Sequence, residues 1–283
     1  MKKIISVLLA AVMLVSSVLA FSSCGKVSAS KDLDKVKAAG KLVVGMECAY
    51  APYNWAQPTS NENTVKLSNG TYADGYDVQI AKKIAAHLGV ELEIVPTEWD
   101  GLIPSLESGS IDMIIAGMSP TEDRKLSIDF SDTYFDSNLV MVVKKDGAFA
   151  GATDLSGFSG AKITGQLNTF HYDVIDQIPG VQKQTALQDF AALIQALESG
   201  AIDGYVCEKP GAVSAVASND SFSFVEFAEG KGFKCDPADS SISVGLRKGS
   251  SLTVEVNKVI NSISSTAKEE MMNAAISRQP SGD

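Results

Sequence analysis

Arg124 and Glu208 are oppositely charged and stand at comparable points of two similar stretches of this chain. A guanidinium forms a bidentate pair with a carboxylate. A glutamate carboxylate accepts hydrogen bonds from an ammonium group. On opposite walls of a cleft, the two suit a zwitterion. Each also has an ordinary reading. Arg124 sits in the charged run Glu122, Asp123, Arg124, Lys125, the pattern of a solvated helical turn. Glu208 sits just before Pro210, where an exposed charge can begin a helix.

The elements that would position them repeat. Residues 106–114 read LESGSIDMI and residues 197–205 read LESGAIDGY. In each copy an amphipathic helix ends on a glycine, Gly109 or Gly200, as helices commonly do. A short apolar strand follows. The first strand leads through Gly117 and Ser119 to Arg124, and the second ends at Cys207 and Glu208. Ligands of open α/β sheets sit at the carboxyl ends of strands, often where strand order reverses. Two such units, each with a polar residue at a strand end, predict a pocket between them. Asn168 and Thr169 precede a further helix, whose free N–H groups suit a carboxylate. Asn168 can equally serve there as a plain cap.

The chain begins with Lys2 and Lys3, an apolar run over residues 4–21, and small residues leading to Cys24. This reads as an export leader over residues 1–23, followed by lipid (palmitate) attachment at Cys24. The alternative is a membrane-spanning anchor. Phe21 stands where such cleavage sites usually carry leucine. No second apolar stretch approaches membrane length. Residues 24–40 read as a tether and the start of the first helix. The net charge of -10 includes both leader lysines, so the mature chain is more acidic still. That argues against nucleic acid as a partner. Cys48, Cys207 and Cys235 allow at most one disulfide and show no metal-knuckle spacing. His87 and His171 are far apart in sequence and suggest no ligand pair. No metal and no cofactor are expected.

Strand and helix patterns alternate along the chain, which indicates an α/β class. Residues 41–45 and 90–95 read as strands, and residues 75–88 as a helix apolar at Ile80, Ile84 and Leu88. Residues 139–143, LVMVV, are the most hydrophobic strand after the leader. The pattern restarts after them, and one long helix is expected over residues 252–272. This predicts a first lobe of residues 41–143 plus 229–283 and a second lobe of residues 144–228. Two chain crossings between lobes make a hinge.

Five motifs occur together: GMECAYAPY (45–53), GYDVQIAKKIA (75–85), DMIIAGMSPTEDRK (112–125), IDFSDTYF (128–135) and AIDGYVCEKPG (201–211). The combination resembles the extracytoplasmic solute-binding proteins of amino-acid ABC transporters, the polar amino-acid family. The likeness runs from residue 41 to about residue 272. It implies the two-lobed α/β periplasmic-binding-protein type II fold, closing on a free amino acid and docking on permease subunits. It implies a monomer held by the Cys24 lipid on the outer face of the cell membrane. By the same likeness Arg124 and Ser119 hold the ligand carboxylate, and Gly117 offers its carbonyl to the ammonium. Ala116 likewise offers its carbonyl toward the ligand side chain, and Glu208 takes the ammonium where the family usually has Asp. Tyr50 and Tyr76 match aromatic positions flanking the ligand, with Trp55 and Trp99 as further faces. Glu47 matches an acidic position of the lysine- and arginine-binding members. Leu167 and Phe170 depart from the family's small and polar residues.

A buried carboxylate needs a charged or donor-rich partner, so Glu47 points to a basic amino acid, lysine or arginine. A neutral polar ligand such as glutamine is the alternative. Some proteins of this fold are dehydratases or lytic transglycosylases. That chemistry would need Glu47 or Glu208 as a poised acid or base. A sensor role would need a partner module.

Overall fold

The computed structural model describes residues 29–236 and 238–280. The expected leader and Cys24 lie outside the described residues.

Two five-stranded sheets organise the chain. The first runs in the order Glu91–Pro96, Lys41–Met46, Met113–Ile114, Ser241–Arg247, Ile128–Asp136. Its first three strands are parallel and Ser241–Arg247 runs against its neighbours. The second runs Gln182–Lys183, Lys162–Thr164, Gly204–Glu208, Leu139–Lys144, Phe222–Val225. It too joins a parallel half to an antiparallel one. A four-stranded sheet of short strands over residues 49–74 flanks the first lobe.

The repeated sequence makes the same local structure twice. The helices Leu102–Ser108 and Phe190–Ser199 both end on a left-handed glycine, Gly109 and Gly200. The aspartate that follows does the same work in each copy. Asp112 Oδ2 accepts from Val43 N at 2.9 Å, and Asp203 Oδ2 accepts from Lys162 N at 2.8 Å. Each therefore pins its strand beside the preceding parallel strand. Arg247, 6 % exposed, secures the first copy from behind. It donates to Asp32 at 3.0 Å and to the carbonyls of Leu106 and Ile111, and it stands 3.6 Å from Asp112.

The strand Leu139–Lys144 corrects the expected lobe boundary. It lies in the second sheet, between Gly204–Glu208 and Phe222–Val225, not in the first lobe. Leu139, Val140, Met141, Val142 and Val143 are all buried. A strand apolar on both faces needs a central place covered on both sides, and the middle of the second sheet supplies it. The first crossing thus lies between Asp136 and Leu139.

The expected single C-terminal helix is two, Thr253–Ser262 and Ser265–Arg278. Ser264 separates them and caps the second, accepting from Ala267 N at 3.2 Å. That last helix does not return to the first lobe alone. It packs on both Tyr76–Leu88 and Lys209–Ser218. Arg278 binds the buried Asp74 at 3.0 Å, and Gln279 Nε2 donates to Ser214 O at 2.8 Å.

Gly75 joins the strand Tyr72–Asp74 to the helix Tyr76–Leu88 at φ 133. A Cβ there would stand 2.2 Å from the Tyr53 carbonyl oxygen. Gly40 also has positive φ, 66, but a Cβ there meets nothing within 4 Å. Gly75→Ala should therefore cost more than the ~1 kcal/mol expected of Gly40→Ala, by at least a further ~1–3 kcal/mol of strain. Urea-unfolding midpoints of the two variants check this, and equal losses would refute it.

Candidate functional site

The carboxyl ends of the two central strands face each other across the lobes. The first leads into Gly117 and Ser119, and the second ends on Glu208. Between them lies a cavity of about 10 Å³, at the lower edge of the roughly 10–15 Å³ needed to hold one water. Tyr50, Trp99, Gly117, Ser119 and Arg124 line it from the first lobe, and Gln166, Thr169, Phe170, His171 and Glu208 from the second. The lobes are closed.

Arg124 lies on the short helix Glu122–Ser127, capped by Thr121. Its guanidinium donates to Ser119 O at 3.0 Å and to Asn168 O at 3.4 Å, so it touches both lobes. Its Cζ lies 5.0 Å over the Trp99 ring, a cation–π distance. Burial pulls its pKa down to about 10, against the pull of Glu208.

Glu208 is 1 % exposed. The Tyr50 hydroxyl donates to its Oε2, and His171 Nε2 lies 2.9 Å from its Oε1, an ion-pair distance. Burial opposes its charge, but His171 and Tyr50 outweigh burial and hold its carboxyl below the ordinary value. Tyr50 reaches across to do this, its ring stacked on Phe190 of the second lobe at 4.0 Å. Burial, then Glu208, push the Tyr50 hydroxyl well above its usual pKa, so it remains a donor.

Glu47 lies beside the cavity rather than in its lining. Gln166 Nε2 donates to its Oε1 at 2.9 Å, while its Oε2 is buried with no hydrogen-bond partner. Burial raises its pKa to about 7. Further buried atoms without a hydrogen-bond partner gather around the cavity: Ser119 Oγ, the two ring nitrogens of His171, and Glu208 Oε1. Unpaired buried polar atoms are costly and uncommon, and their convergence marks a place for a polar solute.

Asp77 fixes the shape of the first wall. It is fully buried and accepts from Tyr134 Oη at 2.7 Å and Asn54 Nδ2 at 2.8 Å. Gly117 N in turn donates to Tyr134 Oη at 3.2 Å. Burial raises the Asp77 pKa to about 6, against these hydrogen bonds.

Several expected residues lie elsewhere. Tyr76 is fully buried under the wall, donating to Tyr134 O at 2.9 Å, and does not line the cavity. Ala116 packs its methyl into the apolar cluster of Leu102, Leu106 and Ile128 and does not line the cavity, whereas Gly117, at φ 61, does. Asn168 does not cap the helix Phe170–Asp173: Thr169 holds that position. Asn168, at φ 56, instead turns its side chain to Asp100 across the cleft, 2.8 Å, and its carbonyl to Arg124. Thr169 Oγ1 donates to Gln166 O at 2.7 Å. Trp55 lines a separate cavity with Cys48 and Gly211. Gln166 and His171 were not expected. Their only sequence signal is proximity to Asn168 and Thr169.

Among the described residues Cys48, Cys207 and Cys235 are free, and no group of three or more His, Cys, Asp or Glu is arranged around a metal position. Burial pushes the Cys48 thiol up to about 12, which makes it a poor nucleophile. No helix among the described residues is long and apolar enough to cross a membrane.

The family of bacterial extracellular solute-binding proteins, family 3, matches residues 42–273. The chain belongs to it, so a transport role replaces the enzymatic alternative. The arginine-binding extracellular protein ArtP of Bacillus subtilis (strain 168) is 26 % identical over 253 residues, 89 % of this chain and 91 % of that protein. The L-cystine-binding protein TcyJ of Escherichia coli (strain K12) is 33 % identical over 221 residues, 77 % of this chain and 74 % of that one. Among solved structures, an amino acid ABC transporter substrate-binding protein from Streptococcus pneumoniae Canada MDR_19A bound to L-arginine superposes with a TM-score of 0.75. It is 29 % identical, over 87 % of this chain and 98 % of that one.

The raised carboxyls give a pH test of the site's architecture. Unfolded carboxylates titrate near pH 4, so the folded protein holds a proton on Asp77 and Glu47 more tightly than the unfolded chain does. The stability this confers is full below about pH 4 and is lost as pH rises through about 6 for Asp77 and about 7 for Glu47. The urea midpoint should therefore rise between about pH 8 and about pH 5.5. Glu47→Gln should show a smaller rise, and an unchanged rise would remove Glu47 from this account.

Proposed function

We propose that this family 3 protein binds a basic amino acid, arginine or lysine, between its lobes and delivers it to the permease subunits of an ABC importer. Lipid on Cys24 would hold it at the outer face of the cell membrane, beside that partner. The observation that carries the ligand class is Glu47 Oε2, buried beside the cavity with no hydrogen-bond partner. A cationic side chain would both neutralise the carboxylate and donate to that oxygen. The carboxylates of Glu98, Asp100 and Asp189 add to the negative potential at Glu47. At the cleft mouth, Glu122, Asp123, Asp173, Asp236 and Asp239 surround the outer side of Arg124. The likeness to arginine-binding relatives points the same way.

In this reading Arg124 and Ser119 Oγ take the α-carboxylate, with Thr169 beside them. Glu208 takes the α-ammonium together with the Gly117 carbonyl. Tyr50 and Trp99 flank the aliphatic stem. The ligand would have to displace Tyr50 or His171 from Glu208 and part the closed walls. Contacts made only with both lobes in place would then favour closure.

One observation favours the second reading, a neutral ligand such as glutamine. Gln166 already donates to Glu47 Oε1, so part of that carboxylate is paired internally.

Calorimetry on the mature protein, unfolded and refolded to strip carried ligand, against the twenty amino acids decides between them. Arginine or lysine should bind most tightly. Glu47→Gln should weaken both by on the order of 10- to 100-fold and leave glutamine unaffected. Arg124→Lys should weaken every amino acid, because an ammonium cannot form the bidentate pair. Arginine binding should weaken as pH falls through about 7, where Glu47 takes up its proton. Unchanged arginine and lysine affinity in Glu47→Gln would sink the basic reading.

A further inference from the structure

Glu208 already has two protein partners, one from each lobe. Tyr50 donates to Oε2, and His171 Nε2 stands 2.9 Å from Oε1. His171 is 4 % exposed, and both its ring nitrogens are buried without a hydrogen-bond partner, so the contact with Glu208 is one of charge and distance. The ring is held in place by Phe170, at 4.4 Å between centroids, and by the edge contact of Phe190 at 6.1 Å.

Few charges surround it. Glu208 faces it from the end of the strand Gly204–Glu208, with the Tyr50 hydroxyl beyond. Arg124, on the helix Glu122–Ser127, lines the same cavity and interacts with Glu208. Asp173 lies on its own helix, Phe170–Asp173. The helix Phe190–Ser199 contributes the apolar Phe190 to this contact.

An imidazolium and an α-ammonium offer a carboxylate the same thing, a positive charge and an N–H donor. Both cannot sit against one buried carboxylate that also faces Arg124, because like charges at contact in a poorly solvated site repel strongly. We propose that His171 is an affinity-determining residue of the site: in its protonated form it competes with the α-ammonium of the ligand for Glu208. Neutral, it brings no charge to set against the ammonium and tolerates the ligand. Charged, it closes the carboxylate off. An imidazole takes up a proton on acidification, so pH is the variable that tests the competition. This rests on Glu208 as the ammonium acceptor, not on the ligand's side chain. It therefore applies to glutamine as much as to arginine, whereas protonation of Glu47 weakens the cationic ligand alone.

Calorimetry with arginine and with glutamine, from about pH 8 to about pH 5.5, tests it in wild type, Glu47→Gln and His171→Gln. In wild type and in Glu47→Gln, acid should weaken glutamine by on the order of tenfold. His171→Gln should keep its glutamine affinity across the range. An equal acid loss in His171→Gln would overturn the inference. If glutamine fails to bind, arginine in the Glu47→Gln background serves as the ligand, with the same two outcomes. The wild-type protein gives a second measurement that needs no variant. The chain has only two histidines, His87 and His171, and each ring can be followed by NMR as pH is lowered. By reciprocity, saturating ligand must make His171 harder to protonate and leave His87 unmoved. An unmoved His171 would overturn the inference. Neutral-only ligands with an intact His171 effect would defeat the basic reading alone, and failure of every amino acid to bind would defeat both.

Discussion

The structure turns on one carboxylate that has almost no water. Glu208 ends the central strand of the second lobe at 1 % exposure. An ionised carboxylate in such a place is costly unless it is paired and hydrogen-bonded. Its own lobe supplies His171, and the other lobe supplies Tyr50. The closed arrangement follows from that need. Tyr50 reaches Glu208 with its ring laid on Phe190 and beside Gly211, a contact made across the two lobes. A ligand ammonium would meet the same need. Closure by the protein's own donors and closure on a solute are thus two answers to one electrostatic problem.

Rigid walls make those answers exclusive rather than blurred. Asp77 holds Tyr134, Tyr134 holds the amide of Gly117, and Asn54 links Asp77 back to the amide of Cys48 beside Glu47. On the second lobe, Thr169 holds the carbonyl of Gln166, and Gln166 spans from the Gln188 carbonyl to Glu47. Most of these groups are buried, so each bond lost would expose an unpaired polar atom to a poorly solvated interior. Such networks fix positions to a fraction of an ångström, which recognition by a few polar contacts requires.

What the sequence made legible was local. The LESG repeat, its glycine stops and its aspartates act within a few residues or on the next strand, and the structure repeats them in both lobes. Arg124 and Glu208 were readable for the same reason, since each follows from a strand end. What escaped depends on the other lobe or on which way a side chain turns. The run 139–143 is apolar wherever it is placed, and only its partners assign it to the second sheet. Ala116 and Gly117 are one residue apart, yet one enters the core and the other the cavity. Tyr76 and Tyr50 are both buried aromatics, and only the tertiary contacts separate wall from scaffold. Gln166 and His171 gain their meaning from Glu47 and Glu208, 119 residues and 37 residues away in the chain.

Charge balance gathers these residues into one account of selectivity. With His171 neutral and Glu47 ionised, the cleft holds one guanidinium, Arg124, against two carboxylates, Glu47 and Glu208. A free amino acid with a cationic side chain carries the complementary excess, one carboxylate against two cations. A neutral amino acid would leave Glu47 uncompensated beside Glu98, Asp100 and Asp189, all of which raise the cost of its charge. Protonation of His171 acts on the other end of the ligand. It adds a cation next to Glu208 and removes the excess that a basic amino acid would match. On the proposed roles, the two groups would govern different halves of one solute, Glu47 the side chain and His171 the α-ammonium. The same walls would then present differently charged sites as Glu47 gains or loses its proton about pH 7.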